Sequence, residues 1–554
     1  MASLAINTGP LGRRLAAHLL RRTTLGPTRA EIELYAGKSA DEAVELLMNL
    51  PPQPGLPMDP LTGLTWVETG RTPANSPNED LKLMVNSWWL HHALRPDQGP
   101  TIAHKLLFFL HTSFVTAQSV VDFSENYYYT LRLFLLYLDG SYKTLAQKIC
   151  LDNGMNDFLD IGDSEVNSPN ENFVREFLEL FTIGKGITAG PGDYTTFTEQ
   201  DVTEAARLMT GFRRNDTWGD ITRWDPETGL PRAIPDPARH DLSSKTFSHR
   251  FQNQVIPGRT DAAGMLEEVA DFVNMIFAQP ETARQIVRRL YRYFVRYRIS
   301  AEVENDIILP LADTFIAQNF ELMPVLRQLL KSQHFYDTDD AAPQDEVIGS
   351  LFKSPLELQA GMIRYFQVPI PDPATDVYAA YVSFFQWSMQ QPMSDACFDL
   401  FDPPEVAGYQ PVYQAPEYNR LWISAKSLPA RYAMADLLTD GPANLYVDLM
   451  AFVSDPAHVP DFTGIDPAGN NGTFPGARIA SHLVTELLTY LLPEFPDNDR
   501  YTYFLADVLL DGLTPLNWMM EWDLYLSSGD DTNVRPQVER LIRAILQSPE
   551  YQLM

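Results

Sequence analysis

Apolar residues recur at three- and four-residue steps from Leu11 to Gln547, whereas strict strand alternation is scarce. That spacing, repeatedly opened by capping signals, confines the chain to packed helices. Thr28-Arg29-Ala30-Glu31 and Ser39-Ala40-Asp41-Glu42 read as capping boxes, and Pro51-Pro52 stops the helix after the second. The pattern predicts a mainly α, large multi-helix globular protein with long irregular loops and at most a few short strands. Strand should cover under about a tenth of the residues.

Helices are predicted at Leu11–Thr24, Glu79–Leu94, Thr101–Val115, Glu125–Leu138 and Tyr142–Leu151. Others follow at Glu199–Phe212, Asp261–Phe277, Glu281–Arg298, Val303–Gln318, Leu322–Ser332 and Pro355–Phe366. Ile479–Leu492, Tyr503–Leu510 and Val534–Gln547 close the chain. Pro51–Asn78, Arg213–Thr260, Ser394–Arg431 and Asp455–Arg478 read as loops, with a short hairpin at Thr246–Ile256. The acidic stretch Asp337–Asp345 divides an N-terminal helical part (1–336) from a C-terminal one (346–554). At about nine residues it is too short for a tether, so both parts should pack as one unit.

The most chemically dense stretch is Asn167–Gly184, NSPNENFVREFLELFTIG. On a helical wheel Glu171, Asn172, Arg175, Glu176 and Glu179 share an arc of roughly 140°, opposite Phe173, Val174, Phe177, Leu178, Leu180 and Phe181. Ser168-Pro169 would cap and start this helix, and Gly184 would end it. A buried pair such as Glu176 and Glu179 can act as acid and base, with Arg175 offsetting their repulsion. The alternative is an exposed helix with an ordinary Glu171–Arg175 bridge. Partial burial against the face bearing Glu204 and Arg207 would make Arg175→Ala cost roughly 2–4 kcal/mol.

Three further features compete with bland readings. His104 and His111 share a helical face, as core histidines or, for His111, as an acid/base group. Arg284, Arg288, Arg292 and Arg296 recur every four residues, either paired to the protein's own carboxylates or binding an anion. His240-Asp241, ahead of Lys245, offers a weak metal-ligand pair for a divalent cation.

Composition excludes several classes. A formal net charge of −30 repels nucleic acid and anionic lipid. Cys150 and Cys397 form no CxxC or CxxCH, so haem, iron–sulfur and zinc-finger motifs are absent, as are P-loop, GxGxxG, HExxH and GxSxG motifs. Asp466–Gly472 lacks the EF-hand order. Apolar runs fall far short of the roughly 20 residues of a transmembrane segment. Arg13-Arg14 precedes no unbroken apolar segment, so the first residues read as a structural helix, not a signal peptide.

His18–Thr28 (HLLRRTTLGPT), Lys105–Thr116 (KLLFFLHTSFVT), Asn170–Gly184 and Phe197–Phe212 (FTEQDVTEAARLMTGF) together resemble the bacterial family called domain of unknown function 1800 (DUF1800). The resemblance continues through His240–Phe247, Lys353–Glu357 (KSPLE), Phe401–Tyr409 (FDPPEVAGY) and Ser548–Gln552. It implies a bacterial protein of unestablished activity, commonly exported and often encoded beside a sulfatase- or phosphatase-like family that would be its partner. This chain has Tyr409 where Trp is usual, and Leu242-Ser243-Ser244 where a Gly normally precedes the Lys. Two functional classes follow. One is a hydrolase-like or metal-dependent enzyme using Glu176, Glu179, Arg175 and His111, with His240 and Asp241 toward a metal. Asn170, Glu171, Asn172, Glu204, Arg207 and Lys245 would support it. The other is a non-catalytic surface or assembly protein.

Overall fold

The structure is a computed structural model and describes residues 2–339, 346–439 and 445–554. Helix accounts for 52% of it and strand with isolated bridges for 7%, so the helical expectation holds. The strands form only two-stranded antiparallel ladders, including the expected hairpin, in which Lys245–Thr246 pairs with Val255–Ile256.

The capping signals act as their chemistry dictates. Glu31 N donates to Thr28 Oγ1 (3.2 Å) while Thr28 N donates to Glu31 Oε2 (2.8 Å), which starts the helix Arg29–Ala36. Ser39 and Glu42 repeat the exchange ahead of Ala40–Leu47. The capping box Thr514–Asn517 uses Asn in place of Glu, and its helix, Pro515–Ser528, was not predicted. Tyr378–Gln390 was also unassigned. It is wound as wide π turns, and its buried residues recur every four positions (Ala380, Phe384, Ser388; Tyr381, Phe385, Met389), which blurs the 3.6 period. Ser427–Asp436 and Leu449–Ser454 are further helices in stretches without a clear sequence signal.

The loop Asp455–Arg478 contains a hairpin, Phe462–Ile465 against Asn471–Phe474. Asp466 closes its turn by accepting from Ala468 N (3.0 Å) and Asn470 N (2.8 Å), and Arg478 lies 3.2 Å from the same carboxylate. Those bonds occupy the carboxylate that a calcium loop would need.

Of the proposed divide, residues 340–345 lie outside the described residues. On either side, side chains interlock. Asn86 Nδ2 donates to Gln390 Oε1 (3.1 Å) and Leu400 O (3.2 Å), and Ser87 Oγ donates to Tyr381 O (2.9 Å). Lys105, at 1% side-chain exposure, pairs with Glu357. One continuous set of buried apolar side chains runs from Ala2 to Tyr551. We propose that both parts fold as one unit, because either alone would bare these polar groups to an apolar face. Residues 1–339 expressed alone should therefore show no cooperative thermal unfolding; a sharp calorimetric transition from that fragment would sink the proposal.

Candidate functional site

The motif helix begins as α-helix at Asn172–Glu176 and widens into a π turn at Phe177–Phe181. Ser168-Pro169 does not cap it. Asn170 does so from two residues back: its Oδ1 accepts from Asn172 N (2.9 Å), while its Nδ2 reaches Asp160 O (3.1 Å). The asparagines thus set the chain's entry angle. Gly184 ends the segment at φ +80°, against the Gln285 side chain, where a Cβ would be both strained and crowded.

Arg175 grips Glu199 with both arms, Nη1 to Oε1 (2.9 Å) and Nη2 to Oε2 (2.8 Å), and also meets Glu171 at 3.0 Å. Tyr194 OH donates to Glu199 (2.7 Å), and Thr203 Oγ1 donates to Glu171 (3.1 Å). The polar face therefore meets the helix Glu199–Leu208 through Glu199 and Thr203, not through Glu204 and Arg207 as expected. It is also wetter than expected, with 31% of the Arg175 side chain and 42% of Glu199 exposed. Arg175's hydrogen bonds hold the Glu199 carboxyl down at about 2, against a smaller opposing effect of burial. Burial raises Glu176, and the charge of Glu179 adds to the rise. Both Glu179 oxygens accept from Lys185 Nζ at 3.0 Å.

Arg207 turns the other way. It bonds Glu204 (2.7 Å), Asp241 (2.8 Å) and Ser243, and Glu204 accepts from Thr246 N (3.0 Å). Burial pushes the Asp241 carboxyl up, but its bonds from Arg207 and Ser243 win and hold it at about 2. His240 points inward: Nδ1 lies 2.8 Å from Thr210 O and Nε2 3.3 Å from Glu268. Lys245 Nζ donates to Glu268 Oε2 (2.6 Å) and Asp241 O (2.5 Å), with the Lys245 and Glu268 side chains completely buried. Despite the desolvation of Glu268, these hydrogen bonds lower its pKa. His240 and Asp241 thus have separate partners. Among the described residues, no group of three His, Cys, Asp or Glu is arranged to hold a metal. His111 sits in the core between Phe108, Phe134 and Phe401, with Nε2 3.1 Å from Thr116 O. Burial pushes its pKa down to about 3, so it is neutral at ordinary pH.

A cavity of about 230 Å³ gathers distant segments of the chain. Phe108, Phe109 and Val115 come from the helix Ala103–Ser113 and the residues after it, and Glu179–Phe181 from the π turn. Arg289, Arg292 and Tyr293 come from Pro280–Phe294, Ser354 and Glu357 from the KSPLE segment, and Pro411, Tyr418, Asn419 and Trp422 from the loop after Tyr409. Of the predicted site residues, only Glu179 lines it. A vestibule shares Arg292, Tyr297 and Tyr418 with the cavity and adds Arg298, Glu417 and Arg420.

The arginine stripe divides at the cavity. Arg288 bonds Glu281 (2.5 Å) and Glu304 (2.6 Å), whereas Arg292 lies 4.8 Å over the Tyr418 ring with no carboxylate partner. Steps of four advance about 40° around a helix, so the stripe drifts from a self-paired face onto the cavity wall. Sequence reasoning gave no role to Lys105, Arg289, Glu357 or Asn419. A lysine inside the apolar run AHKLLFFLH was the available signal, since a buried ammonium needs a partner. Burial pushes Lys105 down to about 7.

Fold and site define a helical protein with a mixed-charge cavity. The sequence profile described as "Protein of unknown function (DUF1800)" matches residues 18–553, and the chain belongs to that family. No curated protein and no solved structure matches it.

Two substitutions separate a wet ion pair from a dry one. Arg175→Ala should cost about 1 kcal/mol or less, below the sequence-based expectation, because the pair is a third or more exposed. Its cost should be full above about pH 4.5 and fade as pH falls toward 2, since the depressed Glu199 pKa stabilises the fold only while the carboxylate is ionised. Lys245→Met leaves Glu268 buried without its cation and should cost about 3–5 kcal/mol. Urea unfolding at several pH values checks both; equal costs would overturn the contrast.

Proposed function

We propose that the protein is a hydrolase-like enzyme whose reaction takes place in this cavity, with Glu179 and Glu357 as its acid/base groups. The observation that supports it is the placement of two carboxylates from distant motifs in one cavity that aromatic side chains and two arginines also line. Each carboxylate has a cation beside it: Lys185 for Glu179, and Lys105 for Glu357. Burial holds Lys105 at about 7, so it can release or take up a proton near neutral pH beside Glu357. The aromatic wall excludes water, and Arg289 and Arg292 supply positive charge where negative charge would develop.

One observation favours the alternative of a non-catalytic assembly protein. Leu513, Leu516, Met520 and Leu524 are exposed at helical spacing along Pro515–Ser528 and its approach, an apolar stripe suited to a protein partner such as the sulfatase- or phosphatase-like one.

The two readings part on Glu179. Against a panel of chromogenic esters, glycosides, phosphates and peptides, wild type should turn over one class. Glu179→Gln should lower kcat by about 10²-fold or more while leaving the melting temperature unchanged. Turnover by no class, or equal turnover by the variant, would leave the assembly reading.

A further inference from the structure

The cavity carries polar groups that nothing among the described residues satisfies, and their chemistry points to a ligand. Asn419 is 8% exposed and lines the cavity, yet neither its amide Nδ2 nor its Oδ1 has a partner. Buried amides are nearly always hydrogen-bonded, so a donor and an acceptor left open side by side mark a missing group. Arg292 is the second such group. Its guanidinium stacks on Tyr418, and among the described residues its buried Nε has no partner and no carboxylate lies within ion-pair distance. Glu179 and Glu357 are already paired to lysines, so the cavity's uncompensated charge is positive. Arg289 adds to it, with its arms on the carbonyls of Leu180 and Thr112 (both 2.6 Å).

Position completes the reading. Arg292 belongs to both cavity and vestibule, and therefore stands at the mouth, with Tyr418 beside it. Phe108, Phe109, Phe181 and Phe352 give the cavity an apolar lining as well. We propose that the site binds a carboxylate bearing an adjacent N–H or O–H and an aromatic or branched apolar body. An apolar amino or hydroxy acid, free or as the last residue of a peptide, has this chemistry. The carboxylate meets Arg292 and Asn419 Nδ2, the neighbouring N–H or O–H donates to Asn419 Oδ1, and the apolar body enters the aromatic end. This rests on the cavity being the ligand site, and not on its being catalytic.

Isothermal titration with the full chain tests it, using N-acetylphenylalanine, phenyllactate and a tripeptide ending in phenylalanine. The controls are N-acetylphenylalanine amide and inorganic phosphate. The expected result is binding of the carboxylates but not the amide, weakened tenfold or more in both Arg292→Gln and Asn419→Ala, with far-UV circular dichroism unchanged. Preference for the tripeptide would assign a chain end, and preference for the two small acids a free acid. The titration reads binding alone, so turnover of the substrate panel fails or upholds the catalytic reading separately. Equal binding of acid and amide, equal binding of phosphate, or unchanged binding in Arg292→Gln would overturn the proposal.

Discussion

A protein built almost wholly of helices has a problem at each helix end, where the last turn's carbonyls have no intrahelical partner. When such an end is buried, water cannot pair with it, and an unpaired carbonyl costs a few kcal/mol. Here buried cations reach those carbonyls. Arg21 donates to Tyr490 O (2.6 Å) near the end of Ala480–Leu491, and Arg289 to Thr112 O at the end of Ala103–Ser113. Carbonyls in turns and irregular chain are met in the same way: Arg22 reaches Val347 O, Arg364 reaches Gly26 O (2.7 Å), Lys353 reaches Tyr551 O (2.6 Å), and Arg431 reaches Lys353 O (2.8 Å). Five of these six bonds join residues more than 170 positions apart. Burial draws Arg22 down to about 9 and Arg21 and Arg431 to about 10, values that still leave them charged at neutral pH.

The same solution shapes the cavity. The π turn Phe177–Phe181 frees carbonyls that a regular α-helix would use. Thr182 Oγ1 takes Phe177 O (2.5 Å), Gly184 N takes Leu178 O (2.9 Å) and Arg289 takes Leu180 O (2.6 Å). Arg289 thereby clamps the helix end to the turn that carries Glu179, and fixes that carboxylate on the cavity wall. The arginine that satisfies backbone also supplies cavity charge. A lysine could not replace it on both carbonyls, because only the planar fork presents two directed arms.

The helical architecture was legible because apolar spacing and capping boxes are local and regular. Legibility failed where the winding changed: Tyr378–Gln390 buries residues every four positions, and Thr514–Asn517 caps with a residue that the usual pattern omits. The dense motif Asn170–Gly184 contains Glu179, which lines the cavity, yet its most eye-catching charges, Arg175 and Glu171, form a half-wet network with Glu199. Glu204, Arg207 and Asp241 form a second network around the His240–Lys245 turn. Asn419 could not have been found from periodicity, since it lies in irregular chain, and its meaning comes only from being buried without a partner.

The distribution of charge ties these observations together. A chain with a net charge of −30 places most of its carboxylates outside, where they are hydrated, and keeps several of its arginines inside on carbonyls. At physiological ionic strength the outer charges are screened over about 8 Å, so their repulsion of an anion is felt mainly during approach. Inside the aromatic wall the screening is much weaker, and the field there is set by Arg289 and Arg292. Acidic surface and cationic cavity are therefore compatible. The first disfavours polyanions generally, and under the proposed reading the second would confine anion recognition to a compound small and apolar enough to enter.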